Sequence, residues 1–245
     1  MTTTTVGVRA GDPRAGVVMS SGAGTVLVPR LLDRTRDTAR IALVPGGAMV
    51  LGGDHLSVRV EVGAGCRLEL VEVGGTVCYD AAGQASTWSV DVAVGRGATL
   101  LWHGRETVVA DGSNLTRSLR VELDTGGCAL VRETTVLGRS GEGGGRVRQA
   151  TEVVARDGTP VLVEEIDLDG ANPVPGVIGA HRVLDTVLML GRRPRGESGP
   201  GVMSLAEPGA LARFIGPATH LSPLGATWES WRNTVGDRAM DEERR

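Results

Sequence analysis

The sequence predicts an all-β protein built from repeated pairs of strands. Short segments in which apolar and polar residues alternate are typical of strands with one buried face. Three such segments end at Val62, Val94 and Leu123, and each is followed by a small-residue turn and a second apolar run. Repeats of this length favour a stacked, β-helix-like architecture in which each unit covers its neighbour's apolar face. An antiparallel β-sandwich also has short strands and regular turns, and it is the alternative.

The composition supports this class. The chain has 245 residues, of which 37 are glycine and 11 are proline, as expected for many short strands joined by tight turns. Aromatic residues make up only 2%, so we expect an aliphatic core. The net charge is −3 and no basic stripe is interleaved with aromatics, so a nucleic-acid partner is not expected.

The predicted elements divide the chain into two parts of a single domain, residues 1–245. The first strands come from residues 16–30, the three repeats follow, and residues 152–163 form a weaker fourth copy. Residues 16–168 are therefore the predicted β repeat body.

Residues 170–245 are predicted to be loop-rich and partly helical. Residues 182–190 suit a buried strand or a short helix. Residues 207–215 fit a short helix, since a proline is tolerated in the first turn. A second helix is predicted from Thr227 to Ala239, with Thr227 as its N-cap, and residues 241–245 are expected to fray.

Several kinds of site and location are disfavoured. Three cysteines without a CxxC pair argue against a disulfide scaffold or a structural zinc site. Cys66 and Cys128 begin the second strand of two repeats and are predicted to be small core residues. The four histidines lack ligand spacing, and no catalytic or cofactor-binding motif is present. Without an apolar span or a signal peptide, no membrane association and a cytoplasmic location are expected.

Four carboxylates are the candidate site residues. Glu133 lies within strand-like sequence, where an ionised carboxylate must be paired, hydrated or metal-bound because burying it alone is costly. Glu106 and Asp111 flank a short apolar run, and Asp54 follows two glycines. Each has a structural interpretation too: an exposed face or salt bridge for Glu133, an edge or turn charge for Glu106 and Asp111, and a turn for Asp54.

A series of landmarks spans residues 45–168 in a characteristic order. They are Gly46-Gly47 with Gly52, Asp54 and Leu56; Val60 to Gly65; Thr76 with Tyr79; Gly97 to Trp102; Glu106 to Val108 with Asp111; Leu130 to Arg139; and Arg156 to Leu162. Together they resemble the urease accessory protein UreD, called UreH in some bacteria. The segment Val71–Tyr79 departs from that pattern: Val71-Glu72-Val73 stands where the family usually has Thr-Thr-Gln, and Val77 where it has a lysine. The loop after Arg139 is also shorter.

The resemblance implies a β-helical fold and a non-enzymatic chaperone of urease maturation. It implies a hetero-oligomer with UreF and UreG that docks on apo-urease and passes Ni²⁺ through its interior, with no tightly bound cofactor. Oxygen ligands hold Ni²⁺ more weakly than sets of thiolates or imidazoles, and so can release it. Glu133 is the first predicted path-lining carboxylate, followed by Glu106, Asp111 and Asp54.

Two other interpretations stay open. One is a β-helical carbohydrate-active enzyme that uses paired carboxylates, which a cleft rimmed by exposed Trp88 and Trp102 would favour. The low aromatic content and the missing export signal disfavour it. The other is an interaction module with no role in metal handling.

Overall fold

The computed structural model describes residues 2–22, 24–47, 49–195, 199 and 201–236. Within them the chain forms seventeen strands and one α-helix, α1 (Leu224–Gly236). The strands are β1 (Thr2–Arg9), β2 (Gly16–Ser21), β3 (Leu27–Arg34), β4 (Thr38–Pro45), β5 (Met49–Val50), β6 (His55–Val62), β7 (Arg67–Glu72), β8 (Thr76–Cys78), β9 (Ser86–Val94), β10 (Thr99–Val109), β11 (Asn114–Leu123), β12 (Cys128–Leu137), β13 (Arg146–Ala155), β14 (Pro160–Asp169), β15 (Val183–Leu190), β16 (Val202–Ser204) and β17 (Gly209–Gly216).

The strands form two sheets that share one apolar core. The first sheet has seven strands in the order β14-β13-β11-β9-β6-β1-β2. The second has ten, with β16-β17-β15-β12-β10-β7-β4-β3 as its path and β8 and β5 beside β10. Each repeat contributes one strand to each sheet, and successive repeats stack as a β-solenoid of about four turns.

Parallel pairing between repeats decides between the two predicted architectures. In the first sheet β1, β6, β9, β11 and β13 are all parallel neighbours, and in the second β4, β7, β10 and β12 are. An antiparallel sandwich would pair these strands head to tail. The β-helix-like stack is therefore confirmed.

The repeat register predicted from the sequence is confirmed residue by residue. Val62 lies opposite Val94, and Val94 lies opposite Leu123. The fourth copy begins in the same way, since Leu123 lies opposite Ala155. It then departs from the repeat: β14 turns back antiparallel to β13 within the first sheet instead of crossing to the second.

A glycine recurs at one position of the stacked turns. Gly65, Gly97, Gly126 and Gly158 each lie three residues after the register-matched strand ends, and their φ angles are +69°, +62°, +69° and +88°. A side chain with a Cβ is strained in this left-handed region. The turn geometry thus accounts for part of the high glycine content.

Antiparallel strands flank the parallel stack at both ends. In the first sheet β2 pairs with β1 and β14 with β13. In the second sheet β3 pairs with β4, and β15, β17 and β16 extend the other side from β12. Repeat stacks need atypical terminal units of this kind because an open stack leaves its last apolar faces and strand edges uncovered.

The outward face of the first sheet carries an alternating row of charges. Arg59, Asp91, Arg120 and Glu152 occupy matched positions on β6, β9, β11 and β13. Each of these charges therefore has an opposite charge on at least one neighbouring strand, about 4.8 Å away in backbone spacing. Arg120 and Glu152 form an ion pair at 4.0 Å.

The C-terminal part contains more strand than the sequence predicts. Residues 182–190 resolve as the strand β15. The helix predicted over residues 207–215 is wrong: this segment forms β17, which is hydrogen-bonded to β15 on one side and β16 on the other. Paired on both sides, its backbone groups are satisfied in the sheet, and this tertiary pairing outweighs local helix propensity.

The predicted second helix exists, but it begins at Leu224, so Thr227 is not its N-cap. The Ser222 hydroxyl instead accepts a hydrogen bond from the Leu224 amide at 3.2 Å. The predicted end of this helix, residues 237–239, and the fraying expected for residues 241–245 lie outside the described residues. No helix in the described ranges is long and apolar enough to cross a lipid bilayer.

Helix α1 covers the outer face of the second sheet. Its buried residues follow helical spacing, and they form a second core with residues from β10, β12, β15 and β17. The helix contributes Leu224, Trp228, Trp231 and Val235.

Cys66 and Cys128 are core residues, as predicted, but their positions are not equivalent. Cys128 lies opposite Thr99, and Thr99 in turn lies opposite Arg67 on its other side, so Cys66 is one position out of register with Cys128. A one-residue offset reverses the direction of a strand side chain. Cys66 accordingly belongs to the core between the sheets and Cys128 to the core under α1. Burial raises the pKa of the Cys78 thiol to about 12, which disfavours thiolate chemistry.

Candidate functional site

A buried ion pair lies between the two sheets. The Arg117 guanidinium donates from Nε and Nη2 to Glu133 Oε1, at 3.1 and 2.7 Å, and from Nη1 to the Thr107 hydroxyl at 2.9 Å. Its central carbon lies 4.4 Å from the centroid of the Trp88 ring. The side chains of Arg117 and Glu133 are only 10% and 19% exposed. Charge pairing, a hydroxyl and an aromatic face together compensate for the desolvation of the cation.

Strand alternation places these two side chains in the interior. Arg117 is in phase with the buried Leu115 and Leu119 of β11, and Glu133 is in phase with the buried Val131 of β12. Because side chains two residues apart share a sheet face, both charges point toward the opposite sheet. The ion pair is thus a polar interruption in an aliphatic core.

A second carboxylate, Glu72, is almost fully enclosed beside this pair. The residue is 5% exposed, and its carboxylate accepts hydrogen bonds from Trp102 Nε1 at 3.0 Å and from the Arg105 amide at 2.9 Å. A bulge in β10 between His103 and Glu106 interrupts the ladder at this point. Burial raises the pKa of Glu72, while these donors and the Arg117 charge oppose that shift.

The raised pKa of Glu72 predicts a pH dependence of folding stability. A carboxyl group whose pKa is higher in the folded than in the unfolded state stabilises the fold most below its unfolded pKa, about 4.3. That contribution is lost as the pH rises through the folded pKa. Relative to Glu72→Gln, which does not titrate, the wild-type protein should therefore lose free energy of unfolding as the pH is raised from about 4. Urea denaturation of both proteins at a series of pH values measures the free energy of unfolding of wild type minus that of Glu72→Gln; a value that rises with pH contradicts the assignment.

Water-sized cavities adjoin the ion pair on both sides. One, of about 30 Å³, is lined by Arg117 and Glu133 and extends to Glu164 and Arg213. Another, of about 10 Å³, is lined by Arg117 and Glu133 and by Glu72. The first can hold a water molecule and the second is at the lower limit for one. The ion pair therefore separates two polar spaces.

Glu164 and Arg213 form a second ion pair where β14 of the first sheet approaches β17 of the second. Arg213 donates from Nη1 and Nη2 to the two carboxylate oxygens of Glu164, at 2.7 and 2.6 Å. Their side chains are 27% and 17% exposed. This bidentate pair joins the two sheets across the wall of the larger cavity.

A third small cavity lies on the N-terminal side of the same interior. It has a volume of about 10 Å³ and is lined by residues that include Thr2, Thr4, Ser57 and Trp88. Trp88 Nε1 and Thr2 Oγ1 are buried and have no hydrogen-bond partner among the residues that the structure describes. Buried polar atoms normally have partners, so these two are exceptions on this side of Trp88.

The four predicted site residues are not brought together. Glu133 alone points into the interior. Glu106 lies opposite Thr134, on the face away from Thr107, and so faces outward. Asp54 accepts a hydrogen bond from the Leu51 amide at 2.8 Å, and Asp111 accepts one from the Gly144 amide at 2.6 Å.

Asp54 and Asp111 therefore shape turns, in line with their structural interpretation. Within the described ranges, no group of three or more His, Cys, Asp or Glu side chains is arranged to hold a metal ion. A metal role for any of the four carboxylates stays a prediction.

Comparison with models of protein families matches residues 5–245 to the family described as UreD urease accessory protein. The chain belongs to the UreD family. A relative named urease accessory protein UreD 1, from Streptomyces griseus, is 43% identical over 221 residues, which cover 88% of this chain and 86% of the relative. A UreD from Streptomyces avermitilis is 33% identical over 91% of this chain and 86% of its own. A UreD from Cereibacter sphaeroides is 35% identical over 82% of both chains.

Membership of the UreD family supports a role in urease maturation, and the relatives are named as accessory proteins. The carbohydrate-active alternative predicted a cleft rimmed by exposed Trp88 and Trp102. Both side chains are buried, at 2% and 4% exposed, so neither rims a cleft.

Sequence reasoning missed most of the polar interior of this UreD-family chain. Arg117 and Glu72 were readable as inward-facing, since each is in phase with buried apolar residues on its strand. Glu164 carried the same signal, since it is in phase with Ile166 and the buried Leu168 on its strand. Arg213 did not, because it lies on the segment predicted to be helical. The segment Val71–Tyr79, which departs from the family pattern, supplies Glu72.

Proposed function

We propose that this protein is a non-enzymatic chaperone of urease maturation, a scaffold whose interior conducts Ni²⁺ to the apo-urease active site. The observation that carries the proposal is the line of polar groups between the sheets, with cavities on both sides of the Arg117–Glu133 pair. A solenoid core needs no charges for stability, because well-packed apolar residues serve as well or better.

The chemistry of the interior suits transfer rather than storage. Its candidate ligands are carboxylate and hydroxyl oxygens, from Glu72, Glu133 and Thr107. Oxygen donors hold a borderline cation such as Ni²⁺ more weakly than thiolates or imidazoles do. A conduit must release its cargo, so we expect transient Ni²⁺ binding and no tightly bound cofactor.

The partners we propose are UreF, UreG and the apo-urease subunits, in a hetero-oligomer that assembles in the cytoplasm. No nucleic acid or membrane partner is expected. Within this assembly Glu133 is the first path-lining carboxylate. Glu106, Asp111 and Asp54 are secondary candidates that the cargo would meet at the protein surface.

The function is tested by urease activity in cells that carry the complete urease operon. Deletion of this gene should abolish the activity and the wild-type gene should restore it. Glu133→Gln should restore little of it, because the neutral amide removes the charge that attracts the cation inside the solenoid. The matched control is Glu152→Gln, which makes the same change on the outer face, at a side chain that is 49% exposed, and should restore full activity.

Each contrary outcome has a definite meaning. Full urease activity without the gene refutes the role in maturation. Restoration by Glu133→Gln to the level of Glu152→Gln keeps the maturation role but removes the interior path, and an interaction module with no metal role then accounts for the requirement.

A further inference from the structure

The Arg117 guanidinium occupies a position that suits a metal cation. It lies against the Glu133 carboxylate, the Thr107 hydroxyl and the face of Trp88. Carboxylate and hydroxyl oxygens are ligands for divalent cations as well as acceptors for a guanidinium. The same surroundings therefore serve either kind of cation, but not both at once.

Glu72 adds a second carboxylate on the far side of this position. It lines the same small cavity as Arg117 and Glu133, and the Arg117 and Glu133 charges are both close enough to affect its pKa. Its known hydrogen bonds come from Trp102 and the Arg105 amide, which leave further lone pairs on its two oxygens. Without Arg117, two carboxylates would share one enclosed space, an arrangement that favours a bound cation.

Arg117 also separates the polar spaces from one another. It lines the cavity that leads to Glu164 and the cavity that contains Glu72. On its other side it stacks on Trp88, which lines the N-terminal cavity and whose buried Nε1 has no acceptor among the described residues. A cation that moved between these cavities would therefore pass the guanidinium.

We propose that Arg117 is a resident cation that closes the interior path, and that its displacement opens a divalent-cation site between Glu133 and Glu72. This inference rests on the proposed function and adds its regulation. In the closed state Arg117 neutralises Glu133 and repels an incoming cation. In the open state the guanidinium leaves Glu133, and the two carboxylates with the Thr107 hydroxyl hold the cation during transfer.

The test is Ni²⁺ binding to the full-length protein, with Ni²⁺ alone as the probe. Arg117→Gln removes the resident charge, and isothermal titration calorimetry should show Ni²⁺ binding about tenfold tighter than in wild type, because the nearby like charge is gone. Quenching of tryptophan fluorescence by Ni²⁺ should increase as well, since Trp88 and Trp102 border the site. The double variant with Glu133→Gln should lose the gain.

The matched control is Arg120→Gln. Arg120 lies on the same strand three residues later, on the outward face with a side chain that is 61% exposed. Arg120→Gln removes the same charge without opening the interior, so the Ni²⁺ affinity of this variant should equal that of wild type.

Two results overturn the inference: a folded Arg117→Gln protein that binds Ni²⁺ no better than Arg120→Gln, or a gain that persists without Glu133. If Arg117→Gln does not fold, Trp88→Leu replaces it. That change keeps every charge and every proposed ligand and removes the aromatic face that holds the guanidinium, so about a threefold gain is expected. No gain in folded Trp88→Leu also overturns the inference.

The operon assay separates this inference from the proposed function. If deletion of the gene abolishes urease activity but Arg117→Gln shows no gain in Ni²⁺ affinity, only the resident-cation inference fails. If deletion leaves the activity intact, the maturation role fails, and an affinity gain in Arg117→Gln still supports the cation site.

Discussion

Asp185→Ala should lower the free energy of unfolding by about 3–5 kcal/mol, because it leaves a buried arginine without its counter-charge. The Asp185 side chain is 1% exposed. It accepts hydrogen bonds from Arg132 Nε and Nη2 at 3.2 and 2.8 Å, from Thr134 at 3.0 Å and from Ser222 at 2.6 Å. The bond from Ser222 also positions the hydroxyl that accepts from the first amide of α1. Urea denaturation monitored by circular dichroism measures the loss.

Asp167→Ala is the matched control for this experiment. Asp167 accepts two hydrogen bonds from Arg146, at 3.1 and 2.6 Å, in the same paired geometry. The two side chains are 36% and 53% exposed, however, and ion pairs at such exposure contribute at most about 1 kcal/mol. If Asp185→Ala lowers the free energy of unfolding no more than Asp167→Ala does, burial does not strengthen the Asp185 ion pair as expected.

Trp228→Ala should lower the free energy of unfolding by about 3–5 kcal/mol, the usual cost of truncating a buried aromatic side chain. Trp228 is 4% exposed and packs in the core under α1. Its ring also meets the His103 ring edge-on, with centroids 4.9 Å apart. Leu221→Ala is the control, because Leu221 is 54% exposed and its truncation should change stability by about 0.5 kcal/mol or less. Equal losses in the two variants would contradict the packing role of Trp228.

The stability losses caused by Asp185→Ala and Trp228→Ala should not be additive. Asp185 holds α1 to the second sheet through Ser222, and Trp228 holds it through apolar contact. Once one anchor is lost, the other has less structure left to stabilise, so the double variant should fall short of the sum by about 1 kcal/mol or more. Additive losses would show that the two anchors act independently.

The stacked repeats could be predicted because their signal is local and periodic. Val62, Val94 and Leu123 end three strands of alternating polarity, and they are in-register neighbours in the sheet. Glu133 could be singled out for a related reason, since a charge in phase with buried apolar residues needs a partner. The identity of that partner, Arg117, could not be predicted, because it depends on how two separate sheets face each other.

Other parts of the structure are fixed by contacts that no local pattern encodes. Residues 207–215 contain good helix formers, yet they form a strand because β15 and β16 offer hydrogen bonds on both sides. Cys66 and Cys128 both start an apolar run, but backbone register places them in different cores. Counting from the start of an apolar run misses such one-residue offsets, and each offset turns a side chain to the other face.

The alternating charges on the outer face of the first sheet limit how such a chain can gain or lose turns in evolution. Loss of the turn that contains β9 would place Arg59 beside Arg120, and loss of the turn that contains β11 would place Asp91 beside Glu152. Like charges on directly opposed strand positions are destabilising. Loss of both turns together would bring Arg59 beside Glu152 and preserve the alternation. Changes in length by pairs of turns are therefore more easily tolerated than changes by one.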